Sequence, residues 1–307
     1  MNLSFRQTDL KKNLVLRARI ISALRQFFTE NDYIEVETPI RIPAPAPERH
    51  IDAETSGQWY LHTSPELCMK RLLAAGYERI FQICKCFRAG ERGAKHLPEM
   101  TLLEWYTAGE DYSHMMGQCE GLIRFITRRI HHSDTLSFQG HAIDIAQPWS
   151  RLTVAQAFAR YGSISMEAAL DRDRFDEVMG LEIEPHLGLE KPLFLYDYPI
   201  ECGALARSKT QQPHLAERFE LYIAGLELCN GFSELTDPTE QKRRFKNEMA
   251  YRRTDGASLY PMPEPFLKAL EFMPESTGNA LGVDRLVMLM ADAPEIDDVV
   301  AFSPEEL

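Results

Sequence analysis

The stretch that most constrains this chain is Phe87 to Tyr106, FRAGERGAKHLPEMTLLEWY. Ile80 to Phe87 alternates like a strand, and so does Glu99 to Tyr106. The polar residues 89 to 98 therefore read as the loop between two strands. Alternation sends Met100, Leu102, Glu104 and Tyr106 to one face. Arg88 closes the first strand, and Arg92, Lys95 and His96 ride in the loop. A basic loop above a sheet that carries an inward arginine suits a triphosphate, because guanidinium matches phosphate oxygens two at a time. The plain alternative for Arg92 and Lys95 is solvated loop charge.

Arg218 to Phe232 reads as a hairpin turning at Ala224-Gly225. A two-residue turn there pairs Tyr222 with Glu227 and Glu220 with Cys229, which makes Glu220 and Glu227 diagonal neighbours on one face. Two carboxylates held together cost energy unless a cation joins them or one takes a proton. Magnesium, which favours carboxylates plus substrate phosphates, is the natural guest. Two solvated acids on an open face are an equal alternative. Simple alternation sends Asn230 to the other face, so a pocket role for it needs a bulge, with Gly231 as the place for one. Gly278, Asn279 and Gly282 read as a turn-permitting segment that lets backbone approach a ligand or a packed helix, and it leads into a last helix near 283 to 291 carrying Arg285.

Elsewhere, Leu16, Ile20, Leu24, Phe27 and Phe28 predict a helix over 11 to 30. Residues 33 to 39 alternate as a strand up to Pro39, 41 to 48 read as a loop, and 59 to 63 as a short strand. Ser64 and Pro65 open a helix as cap and first-turn proline, and Asp237 with Pro238 opens another. Residues 112 to 131 are helical in pattern and 194 to 198 strand-like. Residues 133 to 190 read as a helical insertion, with helices near 152 to 160 and 170 to 180. Helices and strands mix without a regular βαβ alternation. That predicts a single α+β domain over 1 to 307, built on a mostly antiparallel sheet flanked by helices.

The formal charge of -12 argues against a protein that coats nucleic acid. Cys84 and Cys86 are one residue apart, so a Cys-x-x-Cys pair is absent, and the six cysteines read as reduced core thiols. No run of 18 apolar residues exists and the start, MNLSFRQTDLKK, lacks an apolar core, so neither a membrane span nor a signal peptide is expected and a cytoplasmic enzyme is the default.

Together these pieces resemble the catalytic domain of lysyl-tRNA synthetase and its class II relatives, from about residue 14 to the end. DYIEVETP (32 to 39) is similar to motif 1, with Asp32 in place of the usual glycine. FRAGERGAKHLPEMTLLEWY is similar to motif 2, ERFELYIAGLELCNGFSEL to the segment that binds magnesium and amino acid, and GNALGVDRLVMLM to motif 3. The resemblance implies that Arg88 holds the α-phosphate of ATP, that Arg285 and His96 with Lys95 or Arg92 hold the outer phosphates, and that Glu220 and Glu227 carry Mg2+. Gly90 stands where motif 2 has glutamate, with Glu91 one place later, and Met100 stands where a phenylalanine stacks on adenine. Glu66, Glu104, Tyr106, Asn230 and Glu234 match the amino-acid pocket. Three carboxylates suit two ammonium groups, so lysine or an isomer is the implied guest.

Lysyl-tRNA synthetases carry an oligonucleotide-binding barrel before motif 1, whereas motif 1 here begins within the first few dozen residues. The resemblance therefore narrows to the stand-alone elongation factor P–lysine ligases, which add (R)-β-lysine to a lysine of translation elongation factor P. It implies no anticodon-binding domain, no tRNA partner and a homodimer formed through motif 1. Ser64 and Ala280, where tRNA-charging relatives have alanine and glycine, border the amino-acid pocket. Two other readings stay open. One is a non-catalytic paralogue, against which the retained Arg88, Glu104, Glu220, Glu227 and Arg285 stand. The other is a ligase with a small-molecule acceptor.

Overall fold

The computed structural model describes residues 5–146 and 148–307. Met1 to Ser4, part of the stretch read as lacking a signal peptide, lie outside the described residues. The frame is one eight-stranded sheet built from β1 (Ile34–Glu35), β2 (Arg79–Phe87), β3 (Glu99–Ala108), β4 (Ser150–Thr153), β5 (Leu193–Pro199), β6 (Leu215–Ile223), β7 (Leu226–Ser233) and β8 (Ser276–Gly282). The spatial order is β1-β2-β3-β8-β7-β6-β5-β4. The outermost pairings, β1 with β2 and β4 with β5, are parallel, and the rest are antiparallel. The expected α+β class with a mostly antiparallel sheet is what forms.

Alternation along the central strands divides the molecule. Phe81, Leu103, Trp105, Phe219, Leu221 and Leu281 face one side, where they meet α1 (Lys11–Glu30), α3 (Tyr112–His131) and α5 (Val283–Ala291) in the main core. Ile20, Leu24 and Phe28 of α1 and Leu122, Ile123 and Ile126 of α3 are completely or almost completely buried there. The long helix α3 starts where the Asp111 carboxylate accepts from the Ser113 and His114 amides, and it ends with Arg128, Arg129 and His131 against its negative pole. The opposite face of the sheet carries the polar residues. It is bordered by α2 (Glu66–Ala74) and α4 (Pro238–Thr254), the latter opened by Asp237 and Pro238 as expected.

Four local expectations are revised. The strand expected over 33 to 39 pairs only at Ile34–Glu35, with one further bond from the Val36 amide to Phe81. Asp32 takes the left-handed conformation (φ 63°) that the usual glycine would supply, and a short polar side chain tolerates it. The segment 133 to 190 is not simply helical. It opens with a hairpin (Thr135–Phe138 with His141–Asp144) and contributes β4 to the main sheet. The helix expected near 170 to 180 is interrupted at the polar run Asp171 to Arg174, where Asp173 adopts φ 52°, and resumes at Phe175–Val178 to run into a π turn over Met179–Ile183. Phe158, Phe175, Val178 and Ile183 bury a separate small core against Leu195 and Tyr222. Finally, residues 276 to 282 form a central strand, not a turn.

Candidate active site

The register of the sheet brings the sequence candidates into rows. Gln82, Glu104, Ala280, Asn230 and Glu220 are successive partners across β2, β3, β8, β7 and β6. The neighbouring row is Ile80, Tyr106, Gly278, Phe232 and Arg218. Asn230 reaches this face through a bulge, as required, but the bulge is at Leu228 and not at Gly231. Tyr222 pairs with Glu227, yet Leu221 pairs with Cys229. The extra residue restores phase, so Glu220 faces Asn230 instead of Cys229, and Glu220, Tyr222, Glu227 and Asn230 share one side. The turn itself forms as expected, with Ala224 and Gly225 both at positive φ. Gly278 is required by crowding: a Cβ there would stand 2.3 Å from the Tyr106 ring and 2.5 Å from a Glu234 carboxylate oxygen.

In the middle of the sheet, Glu104 is 1% exposed. Its Oε1 accepts from Ser64 Oγ at 2.6 Å and its Oε2 from Tyr106 OH at 3.0 Å. Ser64 Oγ also accepts from the Glu66 amide at 2.9 Å, but it stands one residue before the N-cap: Pro65, expected as the first helical residue, is the cap, and the helix begins at Glu66. Burial, reinforced by the charge of Glu66, pushes the Glu104 carboxyl up to about 8. Lys70, which sequence reasoning missed, lies between two of the pocket acids. Its ammonium pairs with Glu66, lies 2.5 Å from Glu234 Oε2, and sits over the Phe232 ring at 5.0 Å. A lysine four residues after a glutamate on a helix reads as an ordinary surface pair. Here it is 1% exposed. Burial acts to discharge Lys70, but Glu234 and Glu66 outweigh it and hold it protonated. Three carboxylates and one internal ammonium leave room for two more positive charges. Glu234 Oε1 and Gln82 Oε1 are buried on this face without a hydrogen-bond partner, which is where an incoming ammonium would be expected to donate.

Beside the loop 89 to 98, Arg88 has a distant ion pair with Glu91 at 3.7 Å, and its buried Nε has no partner. That leaves a donor ready for an anion. Arg285 donates to Glu227 Oε2 at 3.0 Å, to the Lys95 carbonyl at 3.2 Å, and to His96 Nε2. Burial and the adjacent guanidinium push His96 down, keeping it a neutral acceptor. Met100 pairs with Cys86 beside this loop. Arg92 does not join the group. It is bonded to Asp297 at 2.7 Å and Glu305 at 2.9 Å near the C-terminal end. Lys95 is exposed, with its ammonium 3.4 Å from the Gly225 carbonyl.

Glu220 and Glu227 converge as expected, with partners the sequence did not reveal. Arg218 donates to Glu220 at 2.6 Å and to Asn230 Oδ1 at 3.2 Å, while Tyr198 and Tyr222 hydroxyls donate to Glu220 at 2.5 and 2.7 Å. Burial and then Glu227 raise the Glu220 carboxyl. Burial acts to raise Glu227 too, but Arg285, then Arg218 and Arg88, hold it below the usual range. Glu184, from the inserted segment, joins them through Tyr222 OH at 3.2 Å and is raised by burial and by Glu220 and Glu227. Glu220 and Glu227 share one side with only oxygen ligands to offer, the donor type that suits magnesium.

The chain belongs to the class II tRNA synthetases: the model described as "tRNA synthetases class II (D, K and N)" matches residues 1–306. It is 35% identical over 320 residues to the lysine–tRNA ligase of Nitrosomonas europaea, covering 96% of this chain and 64% of that relative. It is 38% identical to the elongation factor P–(R)-β-lysine ligases of Edwardsiella ictaluri and Hamiltonella defensa, covering 95% of this chain and 94% and 95% of theirs. The chain thus spans just under two thirds of the lysine–tRNA ligase and nearly the full length of the elongation factor ligases.

Proposed function

We propose that this chain activates (R)-β-lysine or lysine with ATP and transfers the aminoacyl group to a lysine side chain of translation elongation factor P. The observation that carries the reading is the single sheet face on which Glu104, Asn230, Glu234, Glu220, Glu227 and the free Nε of Arg88 meet. The near full-length match to two ligases of that name supports the choice of acceptor.

Glu66, Glu104 and Glu234 take up the substrate's two ammonium groups and turn its carboxylate toward Arg88. A carboxylate oxygen attacks the α-phosphorus in line, the new O–P bond forms, and pyrophosphate leaves. Arg88 stabilises the charge that grows on the phosphorus oxygens, and the site otherwise supplies positioning. Arg285, donating a hydrogen bond to neutral His96, receives the outer phosphates. Glu220 and Glu227, with Glu184 beside them, would hold a magnesium ion, which supplies charge neutralisation on the phosphates. In the second step a neutral lysine amine of the acceptor attacks the activated carbonyl, the C–N bond forms, AMP departs with the electrons of the broken C–O bond, and the surplus proton on nitrogen passes to solvent.

A homodimer through the motif 1 edge belongs to this reading. Ile34, Ile40 and Tyr77 are exposed apolar residues in the segments around β1 and β2. Among the described residues no helix is long and apolar enough to cross a membrane. The test is amino-acid-dependent ATP–pyrophosphate exchange with α-lysine, (R)-β-lysine and (S)-β-lysine, followed by intact mass of added elongation factor P and, in parallel, lysine tRNA. Exchange with a mass increase on the factor is expected. Exchange with transfer only to tRNA would overturn the acceptor, and no exchange would overturn the chemistry.

A further inference from the structure

Next to the loop 89 to 98 lies a cluster that the reaction does not use. Cys84 and Cys86 project from β2 on the same face as Gln82, and His62 approaches them from the segment between the strand Trp59–Leu61 and Ser64. The two sulfurs are 3.8 Å apart, Cys86 Sγ is 3.8 Å from His62 Nε2, and all three ligand atoms lie within 4.8 Å of one another. Zinc–sulfur bonds of about 2.3 Å at the tetrahedral angle place two sulfurs about 3.8 Å apart, and a zinc–nitrogen bond of about 2.0 Å places nitrogen about 3.5 Å from sulfur. The thiol pair therefore already has the spacing of one edge of a zinc tetrahedron, and the imidazole is a few tenths of an ångström from another. His62 is 1% exposed and Cys86 fully buried, while Cys84 is half-buried and gives the way in.

We propose that His62, Cys84 and Cys86 form a binding site for a soft divalent cation of the zinc class, with water in the fourth position. Two thiols with one imidazole are ligands for such an ion and poor ones for magnesium. Binding releases the two thiol protons to solvent, and no electron is transferred. The His62 Nε2 proton, which now faces the Lys85 carbonyl at 2.7 Å, moves to Nδ1 as the other tautomer, so the ring gives up that contact and turns its lone pair to the metal. The site stands beside the catalytic groups: Cys86 pairs across the sheet with Met100, and the charges of Glu104 and Arg88 both reach it. On the reading proposed above, a cation here slows amino-acid activation. That consequence is separable from binding itself.

The test uses the full chain, freed of metal, titrated with Zn2+ and separately with Co2+. One Zn2+ per chain is expected, with a thiolate-to-metal charge-transfer band for Co2+ and protection of Cys84 and Cys86 from alkylation while Cys68 and Cys202 still react. His62→Gln and the double variant Cys84→Ser, Cys86→Ser should weaken binding by at least about tenfold, the lower end of what even outer-shell partners contribute. Zinc uptake that survives the double substitution, cobalt binding without the thiolate band, or no stoichiometric uptake would each overturn the site. If the double variant fails to fold, alkylation protection in the unaltered protein decides the question. Loss of pyrophosphate exchange on zinc addition tests the regulatory consequence; its absence would leave a bound zinc that does not regulate.

Discussion

Glu104 and Lys70 show how much a single buried charge decides. Glu104 keeps its proton up to about 8, whereas an unfolded glutamate loses it near 4.5. Between those values the folded state binds more protons than the unfolded one, so the contribution of Glu104 to stability falls as pH rises from 4.5 to about 8 and is constant above. A diammonium substrate favours the carboxylate, so binding at pH 7 should release about one proton from this group. Calorimetry in two buffers of different ionisation enthalpy measures that release directly. Glu104→Gln should reduce it, leaving Glu234, which burial also pushes up to about 8, as the remaining source, and equal heats in both buffers for the unaltered protein would refute the assignment. Lys70→Met leaves Glu66 and Glu234 facing each other without a cation. Breaking one side of a buried pair costs about 3–5 kcal/mol. Urea unfolding should show a loss of this order, partly recovered by saturating lysine, because the substrate's ammonium can supply the missing charge.

At the scale of the element, the strand pattern was legible and its phase was not. The hairpin, its turn and the Tyr222–Glu227 pairing follow from alternation and two residues suited to positive φ. The bulge at Leu228 does not, because a bulge is chosen by what both faces must bury, and Leu228 joins the main core only in the folded protein. Asn230→Ala, which removes the amide that the bulge brings beside Glu220, should reduce pyrophosphate exchange by more than about a hundredfold, a cost in line with misplacing a positioning group by an ångström. An Asn230→Ala variant that folds with undiminished exchange would show that Asn230 has no role in the pocket. The Gly278 segment is the reverse case. It was read as a turn because glycine permits one, whereas the structure uses its lack of a side chain to admit Tyr106 and Glu234 into a central strand. Gly278→Ala should cost about 1–3 kcal/mol from overpacking and raise the KM for the amino acid more than that for ATP. Equal effects on both would place the strain elsewhere.

Across the whole molecule, long-range pairings set which loop charges face the site. Arg92 belongs by sequence to a phosphate-binding loop, but Asp297 and Glu305 hold it near the C-terminal end. Replacing both acids, Asp297→Asn with Glu305→Gln, frees Arg92 and should lower the KM for ATP without changing that for the amino acid. An unchanged KM would mean that Arg92 serves as a tie for the C-terminal end. Ile34→Glu at the exposed sheet edge should shift the protein to a monomer in light scattering if motif 1 forms the interface.

The sequence by itself determined the class of fold, because that depends on alternation and turn chemistry, and its contiguous motifs offered Arg88, Arg285 and the carboxylates as candidates through their family resemblance. The family resemblance, which gathers three acids in one pocket, implied a lysine-type guest. The tertiary structure alone decided that Lys70 is an internal counter-ion, that Arg218, Tyr198 and Glu184 join Glu220, and that His62 meets Cys84 and Cys86. Each of those depends on contacts between separate elements or on burial. Neither is written in local periodicity: a lysine four residues from a glutamate looks the same in water as in a core, and only the packing around it supplies the physical difference.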